Sequence, residues 1–199
     1  MHSINPSKCH QSLNSSDPYL SLIEDYTKKL KTSEVCYIIG GGPSLFSYLT
    51  TPELLINKDI ITTNTAYELF PETSKLCHFA DKCWWDWNNS SDLWKSYKGI
   101  KTTAAGVHMK FWKSLKSENI ICYNKKIVNH KDVQFAKEKN TLGGNNAGHQ
   151  AINLAWHLGY KIMILLGFDC NTAADKTHWH NKHKRVSNKD NYTNTMIPG

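Results

Sequence analysis

No apolar run in this 199-residue chain is long enough to span a bilayer. The opening residues, rich in Asn, Ser, Lys and His, hold no apolar signal-peptide core. These two absences lead to the expectation of a soluble, cytoplasmic protein with no membrane partner. None of the six cysteines (Cys9, Cys36, Cys77, Cys83, Cys122 and Cys170) stands in a CxxC pair, which removes the commonest zinc and dithiol signatures. Cys36, Cys77 and Cys122 fall in apolar strand-like runs, where a thiol behaves as a small core residue. Reduced, structural cysteines and no metal centre are therefore expected. Internal repeats are absent too. Acidic side chains are the scarcer charge: 17 Asp and Glu against 24 Lys and Arg leave a net charge of +7. That balance suits an anionic ligand such as a nucleotide or an acidic glycan. The basic residues are spread along the chain instead of following one element, so nucleic acid is the least favoured partner.

What is present points to one domain with a real core. Val35-Cys36-Tyr37-Ile38-Ile39 is a short apolar run that breaks into Gly40-Gly41-Gly42-Pro43-Ser44. Bounded by glycine, the run reads as a buried parallel strand. The glycines let the backbone turn sharply and approach a ligand with no side chain in the way. Pro43 fits the first turn of a helix, and the free N–H groups of such a turn favour an anion. The expectation is a phosphate-holding turn.

Residues 1–17 read as a loose leader, residues 18–170 as a Rossmann-like nucleotide-binding domain, and residues 171–199 as a lid or tail. Asp17-Pro18 opens a helix with Leu20, Leu22, Ile23, Tyr26 and Leu30 as its apolar stripe. Further strands are expected at 59–64, 76–81, 101–105 and 119–123, and the tryptophan-dense stretch 82–97 reads as helical in part. Thr141-Leu142-Gly143-Gly144-Asn145 leads into a helix over 146–158, packed by Ala147, Ala151, Leu154, Ala155 and Leu158 and closed by Gly159. The run 161–169 is the most hydrophobic strand, and its continuity predicts cover on both faces. The fold class is α/β: a three-layer, Rossmann-like, mostly parallel sheet with helices on both faces and a polar C-terminal lid.

Ligands bind at the carboxyl ends of parallel strands, where connections diverge. Gly40, Gly41, Gly42 and Ser44 follow the first strand, Asn64 the second, Asp81 the third, and Asp169 the strand after the long helix. Thr141, Gly143, Gly144 and Asn145 offer a second anion-binding turn. Together they form the expected nucleotide site, although Asn64 and Asp81 are also residue types that cap helices. The block Trp84-Trp85-Asp86-Trp87 offers a stacking platform for a sugar or base, but helical spacing makes core the expectation for Trp84 or Trp85. A second cluster, His178-Trp179-His180-Asn181-Lys182-His183-Lys184-Arg185, places proton-transfer groups and cations in a polar segment. It reads as a lid. His178 and His180 also have metal-binding spacing, but no cysteine or carboxylate stands at partner spacing.

The ordered set Ile-Ile-Gly-Gly-Gly-Pro-Ser-Leu from Ile38, Thr-Asn-x-Ala at Thr63 to Ala66, and the Gly143-to-Asp169 segment resembles a Rossmann-like superfamily. It contains the bacterial lipooligosaccharide sialyltransferases, the archaeal 6-hydroxymethylpterin diphosphokinase-like proteins and many small phage-encoded proteins. The likeness runs over about residues 35–185. It implies that Gly40, Gly42 and Ser44 hold the phosphate and ribose of a nucleotide-sugar donor. It also implies that Asn64 and the Thr141-to-Gly144 turn contact the donor and that His183 is general base on an acceptor hydroxyl. The sialyltransferases use lid tyrosines to stabilise the departing phosphate, whereas Cys170-Asn171-Thr172-Ala173-Ala174 holds none. The pterin kinases instead need ATP and Mg²⁺ held by carboxylates, for which Asp81 and Asp169 stand here.

The expected function is thus nucleotide-dependent transfer. His183, His178 and Asp169 are the catalytic candidates, and Trp179, His180, Lys182 and Arg185 belong to the lid. The cofactor or donor is a nucleotide or nucleotide-sugar, with Mg²⁺ in the kinase alternative. A phage-type, non-catalytic nucleotide-sequestering protein is the rival, and a homo-oligomer is compatible with either.

Overall fold

The computed structural model describes residues 29–48, 51–105, 115, 118–126, 135–138 and 140–169. The expected leader, the helix stripe up to residue 28 and the whole of 171–199 lie outside these residues.

Among the described residues seven strands form the sheet: β1 (Val35–Ile39), β2 (Asp59–Thr63), β3 (Leu76–Phe79), β4 (Ile100–Ala105), β5 (Ile121–Lys125), β6 (Thr141–Leu142) and β7 (Ile162–Leu166). Their order is β6-β5-β4-β3-β2-β1-β7, and every pair is parallel. Helices α1 (Leu45–Tyr48), α2 (Lys82–Asn88), α3 (Asp92–Ser96) and α4 (Ala147–His157) join them, with 3₁₀ turns at Pro52–Leu55 and Asn64–Leu69. This is the expected α/β, Rossmann-like architecture. Among the described residues no helix is long and apolar enough to cross a membrane.

Alternation along each strand divides the core between the two faces. Cys36, Ile38, Ile61 and Leu76 pack with Ala151, Leu154 and Ala155 of α4. Ile39 and Ile60 point the other way, onto Leu45, Leu55, Ala66 and Phe70. Farther along that second face, Cys77 and Phe79 meet an aromatic cluster of Tyr67, Trp84, Trp85, Trp94 and Tyr97. Trp94 stands at its centre, its ring 5.0 Å from Trp84 and 5.2 Å from Tyr67 in edge-on geometry. Such pairs add about 0.5–1.5 kcal/mol beyond burial. Trp84 and Trp85 are therefore core, and the stacking-platform reading does not apply to them; Trp84 Nε1 donates to Thr65 Oγ1 at 3.0 Å.

Helix α4 shows why its sequence stops where it does. Asn146 accepts the His149 N–H at 2.9 Å as N-cap, an interaction worth about 1 kcal/mol. At the other end Gly159 adopts φ +76. Its N–H donates to the Trp156 carbonyl, and Tyr160 N–H donates to that of Ala155, which is a Schellman closure.

Two expectations change. The 161–169 run forms β7, but Ile162 is 55% and Leu165 42% exposed. Among the described residues β7 pairs with β1 alone, at the end of the sheet, so the apolar run did not secure cover on both faces. Thr141, read as part of a turn, lies in β6, paired beside β5. Free thiols are found at Cys36, Cys77 and Cys83. Burial pushes those of Cys36 and Cys77 up to about 12, which leaves them unreactive.

The amino end of the sheet is tied by Asp59, which is 1% exposed. Its carboxylate accepts from Thr32 N–H (2.8 Å), Thr32 Oγ1 (2.6 Å), Ser33 N–H (3.1 Å) and the Tyr160 hydroxyl (3.1 Å). It also pairs with Lys75, whose ammonium donates to the Leu30 carbonyl at 2.7 Å. Burial acts to raise the Asp59 pKa, but Lys75 and Thr32 outweigh it and hold the carboxyl below its ordinary range.

Candidate functional site at the carboxyl ends of the strands

From β1 the chain proceeds outward through β2 to β6 and then returns through α4 to β7, on the other side of β1. β1 and β7 therefore flank the point where the connections diverge, the place where parallel sheets open a crevice.

The glycine turn after β1 lies at that point of divergence. Gly40 N–H donates to the Leu166 carbonyl at 2.7 Å and Gly42 N–H to that of Gly167 at 2.8 Å, so the turn continues the β1–β7 pairing. Neither Gly40 nor Gly42 has a positive φ. They are glycine for want of space: a Cβ on Gly40 would lie 2.9 Å from the Phe168 ring, and one on Gly42 2.7 Å from both Asp169 Cγ and the Gly167 carbonyl. The space expected to admit a ligand beside Gly40 and Gly42 is thus taken by the loop after β7. Ser44 N–H donates to Asp169 Oδ2 at 2.7 Å, and the Ser44 hydroxyl donates to Oδ1 of the same carboxylate.

Asn64 follows β2. Ile39 lies opposite Thr62 in the β1–β2 register, so Asn64 stands one residue beyond the level of Gly40. Thr63 Oγ1 ties the two strand ends by donating to the Ile39 carbonyl at 3.1 Å. Asn64 has a left-handed backbone, φ 49, and its Oδ1 is buried without a hydrogen-bond partner among the described residues. Asp81 follows β3 in extended backbone at the start of α2, is exposed, and makes no side-chain capping bond. Helix capping therefore explains neither side chain.

The second glycine turn is held from below. Gly143 N–H donates to Asn153 Oδ1 at 2.7 Å, the same oxygen that accepts Ala136 N–H at 2.9 Å. Gly144, at φ +112, gives its carbonyl to Gln150 Nε2 at 3.0 Å. That bond turns Gln150 Oε1 toward His78 Nε2, 2.9 Å away, and His78 Nδ1 lies 3.0 Å from Thr102 Oγ1. His78 accordingly carries its proton on Nε2 and accepts at Nδ1. Burial pushes its imidazole down to about 4, against the opposing effect of the Gln150 bond, so it is neutral at physiological pH. Thr141 gives its carbonyl to His157 at 3.1 Å, and Asn145 is exposed. The N–H groups of Ala147 and Gly148, at the start of α4, have no acceptor within the helix.

Phe168 links the two turns. A Cβ on Gly148 would come within 2.6 Å of its ring. One phenyl ring therefore separates Gly40 of the first turn from Gly148 of the helix that follows the second. The structure brings Gly42, Ser44 and Asp169 together and sets Gly40 against Gly167 and Phe168, with Asn64 on the adjoining strand end and Asp81 one strand farther. His178, Trp179, His180, Lys182, His183, Lys184 and Arg185 lie outside the described residues.

His78, Gln150, Asn153 and Phe168 were not singled out by the sequence reading. A signal for the first three existed. His78 interrupts an apolar strand, and Gln150 and Asn153 fall on the buried stripe of α4. A polar residue on a buried stripe requires a partner. Among the described residues no three His, Cys, Asp or Glu side chains stand together in a way that could hold a metal ion. The chain matches no family model, no curated protein and no solved structure.

Proposed function

We propose that this chain is a nucleotide-dependent transferase that takes a nucleotide-sugar donor in the crevice beside β1. The observation that carries the reading is Asn64. Its left-handed backbone and its buried, unpaired Oδ1 coincide at the end of β2. Leaving such an acceptor unpaired costs about 1–3 kcal/mol, and a donor from a ligand, such as a ribose hydroxyl or a base amine, relieves that cost. The donor's phosphates then face Ser44 and the glycine turn. Lys182, Lys184 and Arg185 neutralise phosphate charge, and His183 takes the proton from the acceptor hydroxyl.

The kinase-type alternative asks Asp81 and Asp169 to hold Mg²⁺. Asp169 is engaged by Ser44 and Asp81 is exposed without a capping bond, which favours sugar transfer of the sialyltransferase type, for which the resemblance implies no metal. Thermal shift with CMP, CMP-sialic acid, UDP- and GDP-sugars, ADP and ATP, each with and without Mg²⁺, tests the choice. Stabilisation by a sugar nucleotide without Mg²⁺ supports sugar transfer. Stabilisation by ATP that requires Mg²⁺ supports the kinase alternative. Binding without turnover in any acceptor assay would leave the sequestering role.

A further inference from the structure

Ser44 offers two donors, and both end on one carboxylate. Its N–H lies 2.7 Å from Asp169 Oδ2, and its hydroxyl is bonded to Oδ1. The surroundings are shaped for that carboxylate. Gly42 has no Cβ where Asp169 Cγ would be 2.7 Å away. Gly167 turns the chain at φ +70 directly after β7. Phe168, packed against the core and set between Gly40 and Gly148, anchors the short arm that delivers Asp169. This is a built contact, supported on three sides, between residues 125 apart in the chain.

Carboxylate and phosphoryl oxygens compete for the same N–H and O–H donors. We propose that Asp169 is an internal competitor: in the free protein its carboxylate fills the Ser44 donor pair, and a ligand phosphate binds there by displacing it. This rests on the nucleotide reading above. The carboxylate keeps the turn in shape without ligand and lowers the apparent affinity by the fraction of molecules in which the pair is free. Removal of the charge therefore tightens phosphate binding, whereas a residue that merely supported the site would weaken it when lost.

The test is calorimetric titration of the full chain with CMP, ADP and inorganic pyrophosphate, for wild type, Asp169→Asn and the double variant Asp169→Asn with Ser44→Ala. Asp169→Ser replaces the Asn variant if that one does not fold. The expected result is roughly tenfold or tighter binding of at least one probe to the Asp169 variant, with the gain lost again on adding Ser44→Ala. Equal or weaker binding by the Asp169 variant, where wild type binds, overturns the competitor and leaves the nucleotide reading intact. No binding by either protein overturns both.

Discussion

The backbone N–H of Ser44 lies 2.7 Å from Oδ2 of Asp169, a residue 125 positions later in the chain. The bond joins the turn after β1 to the loop after β7, the two strand ends between which the sheet's connections diverge. It makes Asp169 part of the turn's structure in the free protein. Asp169→Ala removes two hydrogen bonds to a charged group from a half-buried setting. Its expected cost is about 1–3 kcal/mol, read as a fall in unfolding midpoint in urea. An unchanged midpoint would show that the contact contributes nothing to the fold.

Gly148 gives a prediction whose sign depends on Phe168. In an isolated helix, Gly→Ala stabilises by about 1 kcal/mol. Here the new methyl would meet the Phe168 ring at 2.6 Å, so Gly148→Ala is expected to lower stability by about 1–3 kcal/mol as overpacking does. In a Phe168→Ala background the same substitution is expected to stabilise. A double-mutant cycle by thermal unfolding reads the difference.

His78 predicts a pH dependence. Its folded pKa, about 4, lies below the ordinary 6.5, so the unfolded chain binds the proton more tightly. Stability from the neutral imidazole is complete above about pH 6.5 and is lost as the pH falls toward 4, at up to about 1.4 kcal/mol per pH unit. His78→Gln should flatten that slope between about pH 6.5 and 4.5, whatever it does to stability at neutral pH. An identical slope in the variant would remove His78 as its source. Asp59 acts in a lower window. Its pKa is depressed, so its contribution is present above about pH 4 and is lost below that.

Asp59 is also the control for location. It anchors the amino end of the sheet through Thr32, Ser33, Lys75 and Tyr160. Asp59→Asn breaks a pair in which the carboxylate is 1% exposed, and its expected cost is about 3 kcal/mol. Ligand affinity, measured below the lowered melting temperature, should not change, because the crevice is at the opposite ends of the same strands. A matching loss of affinity would place the ligand elsewhere.

The sequence showed what depends on neighbours along the chain. β1 has the bounds that its apolar run and glycines implied, and α4 runs from an Asn cap to a Gly closure as its periodicity implied. What it hid depends on strand order. The His78–Gln150 bond joins residues 72 apart and exists only because α4 crosses over β3. The glycines at 40 and 42 were read as making room for a ligand. The observed neighbour in that space is the β7 loop, which no local pattern announces. β6 is two residues long, too short for periodicity to reveal. β7 reads as covered on both faces because hydrophobicity records composition and not which elements lie alongside. At the site, the strand-end positions of Ser44, Asn64, Asp81 and Asp169 were legible from the strand boundaries, but the bond between Ser44 and Asp169 was not.

The measurement that tests the central claim most directly is nucleotide-induced stabilisation of wild type beside Asn64→Ala. The expected result is a rise in melting temperature of the wild type with one class of nucleotide, by about 2–4 °C for each kcal/mol of linkage. The rise should be largely lost in Asn64→Ala, whose own fold should persist because removal of an unpaired polar atom offsets the cost, about 1 kcal/mol, of alanine in the left-handed backbone. A melting temperature that no nucleotide raises, or a rise that Asn64→Ala leaves intact, would contradict a nucleotide site at the end of β2.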